Sequence, residues 1–319
     1  MQVFKCEFDL PKGKINHNVH ADWDDQGNLH FCEHDLGEGV KEFWGTDEYE
    51  YFMMIHQKDV AKFVLCCLWK GFTFEERLQT RSKYNINYFD FIEQIDKFKE
   101  KKFIRNMLTY YDEVKNKNKT KNKYVVFKEV FNICIGAINI FRPLAALEIY
   151  SIYNPTCVLD ICAGWGGRCL GAAAWNVSKY IGIDTNINLK EGYHKLKLFL
   201  KERSSTEINM YFCDAVNFDF QSLQPYDMIF TSPPYYLLEK YSHFEYCDKK
   251  NKMDIDFYQP LFSRSFDYLT EGGHMILNVN KEIYERNCVP LFGKAHVIHP
   301  LKKSKRQNNY TESIYVWKK

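Results

Sequence analysis

Residues 157–184 read CVLDICAGWGGRCLGAAAWNVSKYIGID. An apolar run ends in Asp160, a glycine-rich turn and a helix of small residues follow, and a second apolar run ends in Asp184. Short continuous apolar runs that alternate with helical text describe buried parallel strands joined by crossover helices. The pattern continues outward. Downstream lie a helix over LKEGYHKLKLFLKER (189–203), a third strand INMYFCD (208–214) and a fourth, YDMIFT (226–231), which stops at Ser232-Pro233-Pro234. A helix from Phe257 to Leu269, a strand HMILNVN (274–280) after Gly272-Gly273, and the runs AHVIHP (295–300) and ESIYVWK (312–318) bring the count to about seven strands. Upstream, a helix from Val125 to Ile140 leads into FRPLAALEIY (141–150). The fold class read from this is α/β, a doubly wound, Rossmann-like sheet.

The remainder of the chain reads differently. The first 55 residues alternate apolar and polar positions between turn signals, as a small antiparallel sheet does. From Asp59 the period lengthens, with Val60, Phe63, Val64, Cys67 and Leu68 on one helix face up to Gly71, and helical text continues to Tyr111. Then comes VKNKNKTKNK (114–123), without apolar periodicity. The expected division is an α+β module over 1–112, a linker over 113–124 and the α/β domain over 125–319. The linker reads as a solvated run, with a phosphate-contacting strap as the competing reading.

Composition excludes several classes. With 319 residues, 45% hydrophobic, 26% charged and 17% aromatic, the chain can bury a core and is not disordered. A net charge of +2 excludes a globally basic nucleic-acid binder, so any such contact must be local. No apolar stretch reaches the roughly 18 residues a membrane span needs, and the opening residues lack an apolar signal core, so a cytoplasmic protein without membrane contact is expected. The eleven cysteines contain no CxxC pair and read as reduced, mostly buried thiols. His30-Phe-Cys32-Glu-His34, with His17 and His20 nearby, lacks the wider paired spacing of zinc sites, so no metal is expected.

Two constellations carry chemistry. The first is Asp160-Ile-Cys162-Ala-Gly164-Trp-Gly166-Gly167. Glycines at a strand-to-helix turn let a ligand approach the backbone, although the GxGxxG spacing of dinucleotide sites is absent. Asp184 ends the second strand where an acidic side chain can hold a ribose diol, and Asp214 ends the third. Helix caps and turn residues are the competing reading for these aspartates. The second constellation is Thr231-Ser232-Pro233-Pro234-Tyr235. Two prolines fix a rigid extended turn, Ser232 and the Pro233 carbonyl offer acceptors, and Tyr235 offers a flat ring, a set that suits an exocyclic NH2 on a planar base; a merely structural Pro-Pro turn is the competing reading.

Together these residues resemble the S-adenosylmethionine-dependent amino-methyltransferases of nucleic acids, in particular the SPPY-type DNA adenine-N6 and cytosine-N4 enzymes, over roughly residues 125–319. The resemblance implies a class I methyltransferase sheet of seven strands with a reversed final hairpin. It also implies S-adenosyl-L-methionine as cofactor and a nucleic acid as partner, DNA before RNA, in the setting of restriction–modification. Asp160, Gly164 and Gly166 would then face the methionyl part of the cofactor, Asp184 its ribose, Asp214 its adenine, and Phe141 would belong to the N-terminal cofactor motif. Cys162 stands where the family has an aromatic. Ser232, Pro233, Pro234 and Tyr235 would form the catalytic turn, and Ser before Pro-Pro-Tyr leans toward cytosine N4. An RNA-base or protein-glutamine methyltransferase, and a binding protein that keeps the fold without the activity, are the alternatives. No cysteine follows a proline, so the cysteine-dependent C5 reaction is set aside. The basic run Lys302-Lys303-Ser304-Lys305-Arg306 reads as a hairpin loop that either contacts phosphate or is solvated.

Overall fold

A computed structural model describes residues 2–10, 13–23, 29–31, 73–81, 85–119, 121–136, 141–236, 249–301 and 312–319. The helix expected after Asp59, residues 32–34 of the histidine cluster and the basic run at 302–306 lie outside the described residues. The alternating text at the start forms an antiparallel sheet of β1 (Gln2–Leu10), β2 (Gly13–Trp23) and β3 (Leu29–Phe31). By its internal contacts the chain divides into two compact units. One is Met1–Phe72, Phe141–Pro233 and Leu261–Lys319, and the other is Thr73–Ile140 with Pro234–Pro260.

The first unit holds the α/β layer structure. Its elements are α1 (Pro143–Tyr153), β4 (Cys157–Asp160), α2 (Gly167–Trp175), β5 (Lys179–Asp184), α3 (Leu189–Leu200), β6 (Glu207–Phe212), β7 (Tyr226–Thr231), β8 (Leu269–Asn280), β9 (Val297–Pro300) and β10 (Glu312–Lys318). The strands run in the order β6-β5-β4-β7-β8-β10-β9. β4 through β8 pair in parallel, and β10 alone runs against its neighbours β8 and β9. This is the class I methyltransferase order, with the reversed final hairpin.

Because β4 is followed outward by β5 and β6 on one side and flanked by β7 on the other, the order reverses between β4 and β7. In doubly wound sheets the crossover helices diverge at such a point, and ligands bind beyond the strands' carboxyl ends. β8 departs from expectation: it begins at Leu269 and runs through Gly272-Gly273. A register shift opposite Tyr226 and Met228 accommodates the glycine pair, and a Cβ on Gly273 would lie 2.8 Å from the Asp227 carbonyl. Asp227 in turn accepts the Thr156 and Cys157 amides at 2.8 Å each, tying the start of β4 to β7.

Small residues set the spacing of α1 against α2. A Cβ on Gly167 would overlap the Phe141 carbonyl oxygen, and one on Gly171 would fall 2.7 Å from Ala146 Cβ and 2.9 Å from the Pro143 carbonyl. One helical turn apart, the two glycines let the helices touch through backbone, which fixes where α2 begins and therefore where the glycine turn lies.

In the second unit, helices at Phe74–Gln79, Tyr88–Glu93, Ile95–Lys99, Lys102–Thr109 and Lys123–Phe131 are short and aromatic-rich. Tyr88, Phe91, Phe98, Ile104, Leu108, Val130, Phe131 and Ile135 form one core, so residues on both sides of the expected linker share it. Of the expected linker, 113 and 114 end one helical element, 123 and 124 begin the helix Lys123–Phe131, and the described residues between them form a bonded connection. Asn116, 3% exposed, donates to the Lys121 carbonyl at 2.8 Å and accepts the Lys121 amide at 2.9 Å, and Asn122 caps the following helix through the Val125 amide at 3.0 Å.

The α1–α2 contact gives a direct test. Gly171→Val forces at least three new atoms into space already filled, and overpacking of this kind costs about 1–3 kcal/mol. Urea titration should show that loss, whereas Gly293→Ala, where a Cβ meets nothing within 4 Å, should lose only what its positive φ demands.

Candidate active site

The turn after β4 is built around a buried carboxylate. Asp160, fully inaccessible, accepts Arg168 Nε at 2.7 Å and Nη2 at 3.2 Å, the Tyr180 hydroxyl at 2.6 Å and the Cys162 amide at 3.3 Å. Arg168 also donates to the Cys162 carbonyl, and its guanidinium lies 5.4 Å from the Phe141 ring centre. The Phe141 ring packs edge-on to Phe230 of β7 at 5.3 Å. Burial alone would lower the Arg168 pKa, and the facing Asp160 carboxylate more than offsets it, so the net direction is upward. Burial, with Asp160 beside it, raises Tyr180 and keeps its hydroxyl a donor. Asp160 therefore anchors the turn from inside, and its oxygens are taken by protein groups.

Around the anchor the turn's backbone is left half-buried at Gly164 and buried at Gly166. Gly164 (φ +56°) and Gly166 (φ +86°) occupy the left-handed region, which a glycine adopts without strain. Tyr193 of α3 donates to the Ala163 carbonyl at 3.1 Å and the Gly164 carbonyl at 3.0 Å, holding the turn from its other side. Asp184, half-buried at the end of β5, accepts the Gly164 amide at 2.7 Å and the Asn186 amide at 2.8 Å. Burial raises its carboxyl to about 6, opposed by those two amides. The sign of the linkage follows: between pH 3.8 and 6 the unfolded chain releases this proton first, so Asp184's contribution to stability is complete below pH 3.8 and is lost as pH rises to 6. A carboxylate has about four acceptor sites, so two remain for hydroxyl donors.

Asp214, beyond the end of β6, is also half-buried; it accepts the Val216 amide at 3.0 Å and Asn217 Nδ2 at 2.6 Å. The turn chemistry weighed for Asp184 and Asp214 is thus present. Burial, then Asp184 and Asp160, raise the Cys162 thiol well above its ordinary value, so it stays protonated.

The fourth strand ends as the sequence indicates. Ser232 follows β7 directly, is half-buried, and its Oγ accepts Asn278 Nδ2 from the neighbouring β8 at 2.9 Å. Pro233 is buried. Pro234, Tyr235 and Tyr236 belong to the second unit. There the Tyr258 hydroxyl donates to the Pro234 carbonyl and accepts the Tyr236 amide at 3.0 Å, while the Tyr236 hydroxyl donates to Asp254 at 2.7 Å. Tyr235 is 4% and Tyr236 3% exposed, so the ring expected to offer a stacking face is enclosed.

Within the first unit, then, Gly164, Gly166, Asp184 and Ser232 come together at the carboxyl ends of β4, β5 and β7, with Phe141 behind the turn. Sequence reasoning missed Arg168, Tyr180, Tyr193, Asn278 and Tyr258. Two of these carry a signal: Arg168 is the one charge in a helix of small residues, and Asn278 interrupts an apolar strand.

Strand order and turn together define a class I methyltransferase-like fold. No family model matches the sequence, and no curated protein does. Among solved structures the chain is similar to TrmN from Thermus thermophilus (16% identity, TM-score 0.39, covering 56% of this chain and 49% of that one). It is also similar to an rRNA methylase from Streptococcus thermophilus (13%, 0.39, 57% and 99%) and to the M. jannaschii tRNA m1G37 methyltransferase (14%, 0.39, 58% and 52%). The chain spans about half the length of the first and third of these. The described helices include none long and apolar enough to cross a membrane.

Breaking a buried ion pair leaves an uncompensated charge and costs about 3–5 kcal/mol. Arg168→Met should show that loss in denaturant titration. The double variant Arg168→Met/Asp160→Leu should recover part of it, because no buried charge is then left alone.

Proposed function

We propose that this chain is an S-adenosylmethionine-dependent methyltransferase acting on the exocyclic amine of a nucleobase. The observation that supports it is the meeting, at the reversal point of one sheet, of a left-handed glycine turn, a half-buried carboxylate and a serine followed by two prolines. The donor set fits the cofactor: Gly164 is half-buried and its left-handed backbone leaves room for close approach, Gly166 is packed behind it against Leu196, and Asp184 remains ionised at pH 7 with acceptor sites for a ribose diol. Phe141 and Cys162 flank the same turn, and Asp214 follows the adjacent strand. When bound, S-adenosylmethionine supplies an electrophilic sulfonium methyl.

The chain's own residues would do the rest. A base amine is a poor nucleophile because its lone pair is delocalised into the ring. Ser232 Oγ, oriented by Asn278, and the Pro233 carbonyl would accept hydrogen bonds from the amine's two N–H groups and raise density on nitrogen, and one of those protons would pass to water once the nitrogen carries the methyl. Holding the amine in line with the methyl supplies much of the acceleration. Pro234 keeps the turn rigid through the Tyr258 hydroxyl, and stacking by Tyr235 requires its burial to be relieved. Cys162, a protonated thiol, takes no covalent part. We further infer DNA as substrate, with cytosine N4 ahead of adenine N6 on the strength of Ser232. The decisive experiment is mass spectrometry of nucleosides from DNA and RNA incubated with the protein and an isotopically labelled methyl donor. N4-methylcytosine in DNA is the expected product, a methylated RNA base would move the substrate, and absence of cofactor binding in calorimetry would leave a binding protein.

Two predictions separate the roles. Asp184→Ala should weaken cofactor binding by about 1.5–3 kcal/mol, the scale of hydrogen bonds to a charged group. Wild-type affinity should fall as pH drops through about 6 and the carboxylate is protonated, a dependence that Asp184→Asn abolishes in calorimetry. Ser232→Ala should slow single-turnover methyl transfer by about 100-fold with cofactor affinity unchanged.

A further inference from the structure

The connection at 115–119 and 121–122 and the helices on either side of it carry a feature that methyl transfer does not use. Between Lys97 and Lys128 the sequence has eleven Lys and Arg against three Asp and Glu, in a chain whose net charge is only +2. Asp112 within this span is answered by Lys119 at 2.7 Å, and Glu129 just beyond it is answered by Lys121 at 2.7 Å. Among the described residues no carboxylate pairs with Lys101, Lys102, Arg105, Lys115, Lys117 or Lys123, and all six are exposed. Large rings stand among them: Phe103 is 60%, Tyr110 42% and Tyr124 48% exposed. Lys115 Nζ lies 5.9 Å from the Tyr110 ring centre and Lys123 Nζ 5.0 Å from that of Tyr124. The segments bearing these residues pack on one core through Ile104, Leu108, Val130 and Phe131.

A merely solvated basic surface has no use for three exposed aromatic rings beside its ammonium groups. A polyanion with bare planar faces uses both. Duplex nucleic acid hides its base faces and would leave the rings idle, whereas a single strand presents phosphate and unstacked base at every residue. The loop is also preorganised: Asn116 fixes it through the Lys121 backbone, and Lys119 (φ +51°) turns it, so the lysines are displayed from a defined frame. We infer that this face of the second unit, centred on Tyr110, Tyr124, Lys115, Lys117 and Lys123, binds a single-stranded nucleic acid by phosphate contact and base stacking. This binding stands apart from the proposed catalysis.

Fluorescence anisotropy on the full chain, without cofactor, tests it with labelled oligo(dT) and oligo(U) strands of about 20 nucleotides and a duplex of equal length. Both single strands should bind, more tightly than the duplex, with affinity falling steeply in salt. Lys115→Gln/Lys117→Gln/Lys123→Gln should reduce the log–log salt slope by about 2, at roughly 0.7 for each phosphate no longer neutralised. Tyr110→Ala/Tyr124→Ala should weaken single-strand binding about fivefold or more while leaving that slope unchanged. All five positions are exposed, and circular dichroism checks that each variant folds. Absence of single-strand binding at low salt, wild-type binding by both variants, or tighter binding to phosphatidylserine vesicles through the same lysines would each overturn the inference. Because no methyl transfer is read, failure here and failure of the catalytic proposal are separately visible.

Discussion

The first unit depends on the Asp160–Arg168 pair. A carboxylate and a guanidinium cannot be buried together unless each finds further partners, because desolvation of two charges outweighs their attraction otherwise. Here Tyr180 and the Cys162 amide complete the carboxylate, while the Cys162 carbonyl and the Phe141 ring complete the guanidinium. Those partners come from β5, from the turn itself and from the segment ahead of α1. One ionic contact thus fixes where the chain leaves β4, where α2 starts and which backbone atoms of the turn remain accessible.

Around that anchor the remaining constraints are steric. The close approach at Gly167 and Gly171 brings α1 onto α2 and carries Phe141 toward β7, where it meets Phe230. The same side of the sheet places Ser232 one residue beyond β7 and Asn278 on the strand beside it. A buried asparagine in a strand is costly unless it is bonded. Its bond to Ser232 makes the hydroxyl's position a property of the sheet and not of the loop that follows.

Much of this is legible in the sequence because it depends on local pattern. Parallel buried strands are apolar runs, so each strand of the large sheet can be found, and the glycine turn and SerProPro lie at strand ends where composition changes abruptly. The start of β8 is hidden because Gly272-Gly273 looks like a break, whereas a bulge absorbs it within the strand. Asp160 looks like a ligand-facing group because its partners, Arg168 and Tyr180, are set by packing across the turn and cannot be paired from spacing alone. Tyr235 looks like an open ring because nothing in the sequence announces that Tyr258, more than twenty residues on, closes the turn beside it. The run at 114–123 looks like solvated linker since its lysines and asparagines have no apolar period; its order comes from side-chain-to-backbone bonds, which leave no periodic trace.

The clasp at Asn116 has one more consequence. It grips residue 121 only through that residue's amide and carbonyl, groups every amino acid other than proline carries. The shape of the loop is therefore written at a single asparagine, while the side chains it displays at 115 and 117 are free to be rewritten. Such a separation of frame from cargo lets substitution retune charge, reach and ring content at this surface one position at a time, without asking the fold to be solved again.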